Sequence, residues 1–293
     1  MWVYGAEVIN DARATPTING AYDRASLRRS IVHIGVGGFH RAHLATYVDD
    51  LCRAGHTGWS IVGAGVLAGD TAMAEVLEAQ NGHYTLITRG LDEHGRDATN
   101  VEVIGSIVDF IHAWPDNEAL IEQIAANDTQ IVSLTVTEGG YPVDDTDGSF
   151  SADSPNARAG SAFCSLAAGL ERRRVTSGAP ITILSCDNVI GNGHVTETAL
   201  RGCAAAHGPA LAAWIDQHVS FPNSMVDRIT PATGPNEGSW LLEHHGIDDR
   251  WPVVTEPFRQ WVVEDRFAGD RLPLESIDVI VTDDVEPYEM MKL

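Results

Sequence analysis

The stretch SIVHIGVGGFHRAH, residues 30–43, decides the fold of this chain. Residues 31–34 form a short apolar run that predicts a buried strand, and the turn that follows has no side chains at Gly35, Gly37 and Gly38 to block a close approach. A strand, a glycine turn and a helix in this order aim free backbone N–H groups at one spot. That arrangement suits a pyrophosphate.

The match of this turn to the dinucleotide fingerprint G-x-G-x-x-G is partial. Gly35 and Gly37 supply the first two glycines, whereas His40 stands at the position of the third. The third glycine serves close packing of the helix, here predicted over residues 41–54, so the phosphate argument survives its loss. The turn therefore favours nucleotide binding, and a purely structural turn is the alternative.

The composition is that of a soluble globular protein. Hydrophobic residues make up 44% of the 293 positions and charged residues 20%. The formal net charge of −22 repels phosphate backbones and anionic membranes, so neither nucleic acid nor a membrane is expected as a partner. No apolar run approaches the roughly 20 residues that span a bilayer, and residues 1–20 contain no secretory signal. We therefore predict a cytoplasmic location.

The cysteines and histidines carry no recognisable metal pattern. The four cysteines are far apart and form no C-x-x-C pair, so we expect reduced, buried thiols at Cys52, Cys164, Cys186 and Cys203. Neighbouring histidines have no set of thiols or carboxylates close to them in the sequence, so no metal site is expected.

Strands and helices alternate along the chain, which predicts a doubly wound, mostly parallel α/β sheet with right-handed crossovers. The apolar patterns predict strands over residues 31–34, 59–64, 84–88, 101–108, 131–136, 181–185 and 277–281, with further strands within 251–264. They predict later helices over residues 70–80, 117–126, 158–176, 195–206 and 209–218. Residues 219–231 read as irregular because Pro222 and Pro231 interrupt them.

Polar residues follow two predicted strands. Thr137, Glu138 and Gly139 come after the strand at 131–136, and Asn188 comes shortly after the strand at 181–185. Open α/β sheets bind ligands at the carboxyl ends of their strands, although plain turns would look the same in sequence.

A Rossmann unit usually has an acid after its second strand that holds the ribose hydroxyls. The first acid in that region is Asp70, which could instead cap its helix. No Lys or Arg lies between Arg53 and Arg89, so a 2′-phosphate has no local partner and NAD is favoured over NADP.

Six motifs in order resemble the mannitol dehydrogenase family, the polyol-specific long-chain dehydrogenases. They are GVGGFHRAH at 35–43, TEGGY at 137–141, SCDN at 185–188, FPNSMVDRITP at 221–231, WPVVTEPFRQWVVED at 251–265 and TDDVEPYEMMK at 282–292. The resemblance implies an NAD-binding Rossmann domain followed by a mostly helical substrate domain. Residues 287–293 begin a helix and then stop, so we expect a truncated chain with the cofactor domain at 1–286 and the start of the substrate domain at 287–293.

The resemblance also implies catalytic roles. Lys292 matches the general base, which begins a K-x-x-x-x-N-x-x-H motif whose Asn and His would lie beyond Leu293. Asn188 and Asp227 would lie near nicotinamide and substrate, and Glu289 would relay protons. From the residues alone, Asp227 beside its neighbouring arginine reads equally as a surface ion pair, and Lys292 as a solvated surface lysine.

The residues implied to contact NAD are Gly35, Val36, Gly37, Gly38, Phe39, Arg41, Asp70, Thr137, Glu138, Gly139 and Asn188. The implied reaction is of the type D-mannitol plus NAD⁺ giving D-fructose plus NADH, with a polyol or ketose as the partner molecule. Alternatives are another polyol, a uronate as in fructuronate and tagaturonate reductases, or a non-catalytic NAD-binding module. A missing second domain would expose an apolar face, through which we expect self-association.

Overall fold

A computed structural model describes residues 22–92, 94–144 and 146–292. Residues 1–20, where no secretory signal was predicted, and Leu293 lie outside this part. The strands are β1 Ile31–Ile34, β2 Ile61–Gly65, β3 Tyr84–Leu91, β4 Asp97–Ile104, β5 Ile107–His112, β6 Ile131–Leu134, β7 Ile181–Ser185, β8 Val219–Ser220, β9 Ser224–Asp227, β10 Val253–Thr255, β11 Gln260–Glu264 and β12 Ile280–Thr282. The helices are α1 Gly38–Ala42, α2 Leu44–Arg53, α3 Thr71–Ala79, α4 Glu118–Ala125, α5 Ala162–Val175, α6 Asn192–Ala204, α7 Pro209–His218, α8 Glu237–His245 and α9 Glu286–Lys292.

The main sheet has six strands in the order β5-β2-β1-β6-β7-β8, and every neighbouring pair is parallel. Its four central strands are buried on both faces, as β1 shows: Ile31 packs in a core cluster with α2, whereas Val32 and Ile34 pack on the opposite side with α4 to α7. The predicted Rossmann-like, doubly wound fold is confirmed. The direction of winding changes between β1 and β6, which is where such sheets bind ligands.

The strand predicted at 84–88 was assigned to the wrong sheet. β3 pairs antiparallel with β4 and parallel with β10 in a separate three-stranded sheet, and β5 takes the place beside β2. The single strand predicted at 101–108 is also wrong, because the chain turns at Gly105 and Ser106. The Gly105 N–H donates to the Asp49 carboxylate and the Gly105 carbonyl accepts from the Arg24 side chain, so Gly105 leaves the ladder with β3. The Ser106 carbonyl already accepts the Ile61 N–H of β2.

The segment predicted to be irregular, 219–231, contains two strands. β8 extends the main sheet, and β9 pairs antiparallel with β11 in a third sheet of order β12-β11-β9. The two prolines lie outside these strands, so they do not interrupt the pairing. This third sheet presents Asp227, at the end of β9, to the ligand-binding edge of the main sheet.

The helix predicted over 41–54 is two helices. α1 starts earlier, at Gly38, and ends at Ala42, where His43 has φ −116° and ψ −94°. α2 then begins at Leu44. The consequence for function is that the helix directly after the glycine turn has five residues, so its dipole is weaker than that of the long helix predicted.

Two of the four cysteines do not fit the prediction of reduced thiols. Cys164 and Cys203 form a disulfide with a Cα–Cα distance of 5.1 Å, because α5 packs against α6 and brings together positions 39 residues apart. Spacing in the sequence could not show this contact. Cys52 and Cys186 are free and buried as predicted. No helix among the described residues is long and apolar enough to cross a bilayer.

Candidate active site

A cleft of about 740 Å³ opens at the carboxyl ends of β1, β6 and β7, where the winding of the main sheet changes direction. Most of the residues singled out in the sequence line it: Gly35, Gly37, Gly38, Phe39, Thr137, Glu138, Gly139, Asn188, Asp227 and Lys292. The cleft therefore joins the glycine turn to residues that lie up to 257 positions later in the chain.

The glycine turn is fixed by steric constraints. Gly35 has φ +97°, and a Cβ there would lie 2.1 Å from the Thr135 carbonyl oxygen on the neighbouring strand connection. Only glycine fits this position. Gly37 is different, because among the described residues a Cβ there would meet nothing closer than the Gly35 oxygen at 4.0 Å. The backbone at Gly37 is thus open to the cleft, and a side chain at this position would occupy that space.

Buried histidines pack behind the glycine turn and hold it through hydrogen bonds. The Thr135 hydroxyl donates to the Gly35 carbonyl at 2.6 Å, so the contact of 2.8 Å between His33 Nε2 and the Thr135 oxygen has Nε2 as the donor. Nδ1 of His33 then accepts from the Ser133 hydroxyl at 2.8 Å. His40 stacks on His33 with ring centroids 3.4 Å apart. Burial lowers the pKa of His33 to about 3, so the ring is neutral.

The wall between β6 and β7 contains a strained residue. Thr137 has φ 63° and ψ 164°, a region that residues other than glycine rarely adopt. Asp187 holds it there: one carboxylate oxygen accepts the Thr137 N–H at 2.9 Å, and the other accepts the Val136 N–H and the Tyr141 hydroxyl. Burial raises the pKa of Asp187, and these hydrogen bonds oppose the shift. Asp187 was not among the predicted site residues, although the SCDN motif placed it beside Asn188.

The opposite wall is built from side chains of three separate elements. Lys292 Nζ, at the end of α9, donates to Asn188 Oδ1 and to the Val226 carbonyl, both at 2.7 Å. Asp227 Oδ1 lies 3.8 Å from the same nitrogen. The lysine side chain is only 26% exposed, so it is held in the cleft rather than solvated.

α9 reaches the cleft because it is anchored at two points. Tyr288 packs on a small cluster of Met225, Val262 and Val285 from the third sheet and its flank. Glu289 Oε1 accepts the Gly191 N–H at 3.2 Å, so this predicted relay carboxylate lies beside α6 and not in the cleft lining.

Three predicted cofactor residues also lie outside the lining. Val36 packs toward Gly63, where a Cβ would lie 2.8 Å from its methyl group. Arg41 is buried and donates to the carbonyls of Trp251 and Gly37, so it ties α1 to the second sheet. Asp70 does not cap α3 with its side chain; Oδ2 accepts the Leu67 N–H at 2.9 Å beside the end of β2.

Comparison with known proteins identifies the family of this fold. The family model for the mannitol dehydrogenase Rossmann domain matches residues 29–276. The chain belongs to the mannitol dehydrogenase family. Mannitol 2-dehydrogenase of Cereibacter sphaeroides is 47% identical over 282 residues, which cover 93% of this chain and 58% of that protein. Mannitol 2-dehydrogenase of Pyricularia oryzae is 42% identical, with coverage of 93% and 55%.

Solved structures of this family agree with the fold. The Pseudomonas fluorescens mannitol 2-dehydrogenase, in a ternary complex with NAD and D-mannitol, matches with a TM-score of 0.88 and 45% identity, covering 93% of this chain and 56% of that one. A substrate-free D-sorbitol dehydrogenase matches with a TM-score of 0.86 and 37% identity, covering 93% and 57%. The chain thus spans little more than half the length of the relatives it matches.

Proposed function

We propose that this chain is the cofactor-binding part of an NAD-dependent polyol dehydrogenase that interconverts D-mannitol and D-fructose. The observation that carries the proposal is the meeting of the glycine turn with Lys292 and Asn188 in one cleft. The named relatives are mannitol 2-dehydrogenases, and the P. fluorescens structure contains NAD and D-mannitol, which supports the choice of both ligands.

The residues present fit a dinucleotide. A Cβ at Gly37 would fill the space on the cleft side of the turn, so the backbone is open where a pyrophosphate needs it. Gly38, Phe39 and the Thr137–Gly139 segment complete the proposed contacts, with Asn188 at the nicotinamide end. Asp70, five residues after the last residue of β2, is the proposed partner of the ribose hydroxyls. Bound NAD⁺ would accept the hydride that leaves the substrate carbon.

Lys292 is the proposed base. An uncharged lysine has two N–H donors and one lone pair, and the two acceptors around Nζ, Asn188 Oδ1 and the Val226 carbonyl, match the two donors. The lone pair is then left to take the proton of the substrate hydroxyl. Asp227, 3.8 Å from Nζ, and Glu289, on the preceding turn of α9, are proposed to pass that proton on.

The test combines two readings in one cuvette: NADH fluorescence titration, and absorbance at the NADH band after mannitol and NAD⁺ are added. Saturable NADH binding is the expected result. A folded chain that does not bind NADH would overturn the proposal. Turnover of mannitol would extend the assignment to catalysis by this chain, whereas turnover with a uronate and none with mannitol would replace the substrate.

The remaining parts of the proposal concern organisation. We assign residues 1–286 to the cofactor domain and 287–293 to the start of a substrate domain, in a cytoplasmic protein. Several apolar side chains within two positions of cleft residues are exposed. They are Ile190, Ile229, Met290 and Met291. Apolar surface of this kind favours association of copies. Light scattering at rising concentration is expected to show a growing mass, and a constant monomer mass would contradict it.

A further inference from the structure

Asp187 is a buried acid of the cleft lining, two residues after the end of β7. The three partners of its side chain are all donors. Oδ1 accepts the Thr137 N–H at 2.9 Å, and Oδ2 accepts the Val136 N–H at 3.0 Å and the Tyr141 hydroxyl at 2.8 Å. The ionised carboxylate fits these partners, because a protonated carboxyl group would need an acceptor of its own.

The hydrogen bond from Thr137 holds a backbone conformation that is costly for a threonine. The angles φ 63° and ψ 164° lie in a region that is open essentially to glycine alone. Such a conformation persists only where its surroundings fix it. Two consecutive N–H groups, those of Val136 and Thr137, are bound to this one carboxylate, so Asp187 defines the path of the chain as it leaves β6.

The segment whose path is defined in this way, residues 137–139, is part of the cleft lining and of the proposed cofactor contacts. Asp187 also directly precedes Asn188, the residue proposed at the nicotinamide end. The Asp187 carbonyl accepts from Asn192 Nδ2 at 3.0 Å, so the backbone before Asn188 is fixed as well. The side chain and the carbonyl of one residue therefore hold two parts of the cleft in place.

We propose that Asp187 is a positioning residue of the cofactor site: its carboxylate keeps Thr137 in the strained conformation, and this conformation gives the 137–139 segment the shape that binds the dinucleotide. The inference rests on the proposed function and deepens it. Because Asp187 acts through Thr137, the inference predicts that the two positions are coupled in their effect on NADH affinity.

Asp187→Asn isolates this action. The amide keeps one acceptor oxygen and gains an NH₂ donor. Two donors face Oδ2 and one faces Oδ1, so the amide oxygen is expected at the Oδ2 position and the NH₂ group opposite the Thr137 N–H. The hydrogen bond that holds Thr137 is then lost. We expect NADH affinity, measured by fluorescence titration, to fall at least tenfold.

Thr137→Gly supplies a readout that a merely structural role of Asp187 would not change. Glycine adopts this conformation without strain, so the carboxylate is no longer needed to hold it. We expect Asp187→Asn to weaken NADH binding less than threefold when it is made in the Thr137→Gly background. A tenfold loss in that background as well would overturn the inference, because Asp187 would then act independently of Thr137.

Asp249→Asn is the matched control. Asp249 is buried and does not line the cleft. Its carboxylate accepts in the same pattern: one oxygen accepts the Thr85 N–H, and the other accepts the Trp251 N–H and the Gln80 amide. We expect this variant to lose stability but to change NADH affinity less than threefold. Equal losses of affinity in Asp187→Asn and Asp249→Asn would contradict the inference, because a general loss of structure would explain both.

The remaining outcomes separate this inference from the proposed function. An NADH affinity of folded Asp187→Asn within threefold of the wild type would overturn the inference alone. Absence of NADH binding by the folded wild type would overturn the proposed function, and with it this inference. If Asp187→Asn does not fold, the double variant with Thr137→Gly decides. An affinity within threefold of Thr137→Gly supports the inference, and a loss of tenfold or more contradicts it.

Discussion

The two walls of the cleft are built in different ways. One wall, the turn wall, consists of backbone at residues 35–38 and 137–139, and steric constraints fix it: Gly35 has no room for a Cβ. The other, the lysine wall, consists of the side chains of Asn188, Asp227 and Lys292, which three separate elements bring together. The comparison indicates that the turn wall is inseparable from the stability of the fold, whereas the lysine wall can be altered while the fold is kept.

The largest expected effect is a loss of stability at low pH. Burial lowers the pKa of His33 and of His43 to about 3, so both stay neutral when folded but take up protons near pH 6.5 when unfolded. Their contribution to stability is present above pH 6.5 and is lost as the pH falls toward 3. At pH 4.5 the two together lower the free energy of unfolding by about 5 kcal/mol relative to pH 7.5.

Denaturant unfolding at several pH values measures this loss. His43→Gln should reduce the slope of stability against pH by about one proton below pH 6.5. His244→Gln, at an exposed position of α8, is the control and should leave the slope unchanged. The same slope in His43→Gln and the wild type would show that this histidine is not buried neutral.

The second largest expected effect is the loss of stability when a glycine of the turn wall is replaced by alanine. Gly35→Ala places a Cβ 2.1 Å from the Thr135 oxygen at φ +97°, so we expect a loss of about 3 kcal/mol in unfolding free energy. Gly37→Ala is the matched control. Gly37 has φ −106° and open space, and its substitution should cost about 1 kcal/mol or less. Equal losses for the two variants would contradict the steric assignment.

Relieving backbone strain in the turn wall should increase the free energy of unfolding, by less than the losses above. Thr137→Gly removes a side chain from a backbone conformation that only glycine adopts readily. The relief of backbone strain should exceed the entropic cost of fixing a glycine, so we expect the free energy of unfolding to rise by about 1 kcal/mol. Thr57→Gly, at an exposed turn position without positive φ, should instead destabilise slightly. A shift of the denaturation midpoint in the same direction for both variants would argue against strain at Thr137.

The smallest effect is expected in the lysine wall. Lys292→Met removes two hydrogen bonds of a side chain that is partly exposed at the end of the chain's last described helix, so the free energy of unfolding should change by about 0.5 kcal/mol. NADH affinity should stay within threefold, because Nζ contacts Asn188 and the Val226 carbonyl and not the glycine turn. A large loss of stability would mean that α9 holds the third sheet together.

The difference between the walls also explains what the sequence could predict. The four central strands of the main sheet and the turn at Gly35 depend on local pattern and sterics, so they were found directly. Three features depend instead on contacts between residues far apart in the chain. They are the place of β3 in a second sheet, the Cys164–Cys203 disulfide and the hydrogen bond from the Thr137 N–H to Asp187. Lys292, Asn188 and Asp227 were reached only through family motifs, because spacing alone does not place them together.

NADH titration of the wild type and of Gly37→Ala tests most directly whether the turn wall is a dinucleotide site. We expect the substitution to leave the fold intact, because a Cβ at Gly37 has free space, and to place one methyl group where the pyrophosphate would bind. We predict saturable binding by the wild type and a loss of at least tenfold in affinity for Gly37→Ala. Equal affinity of the two proteins, at matched stability, would contradict the assignment of this turn as the pyrophosphate site.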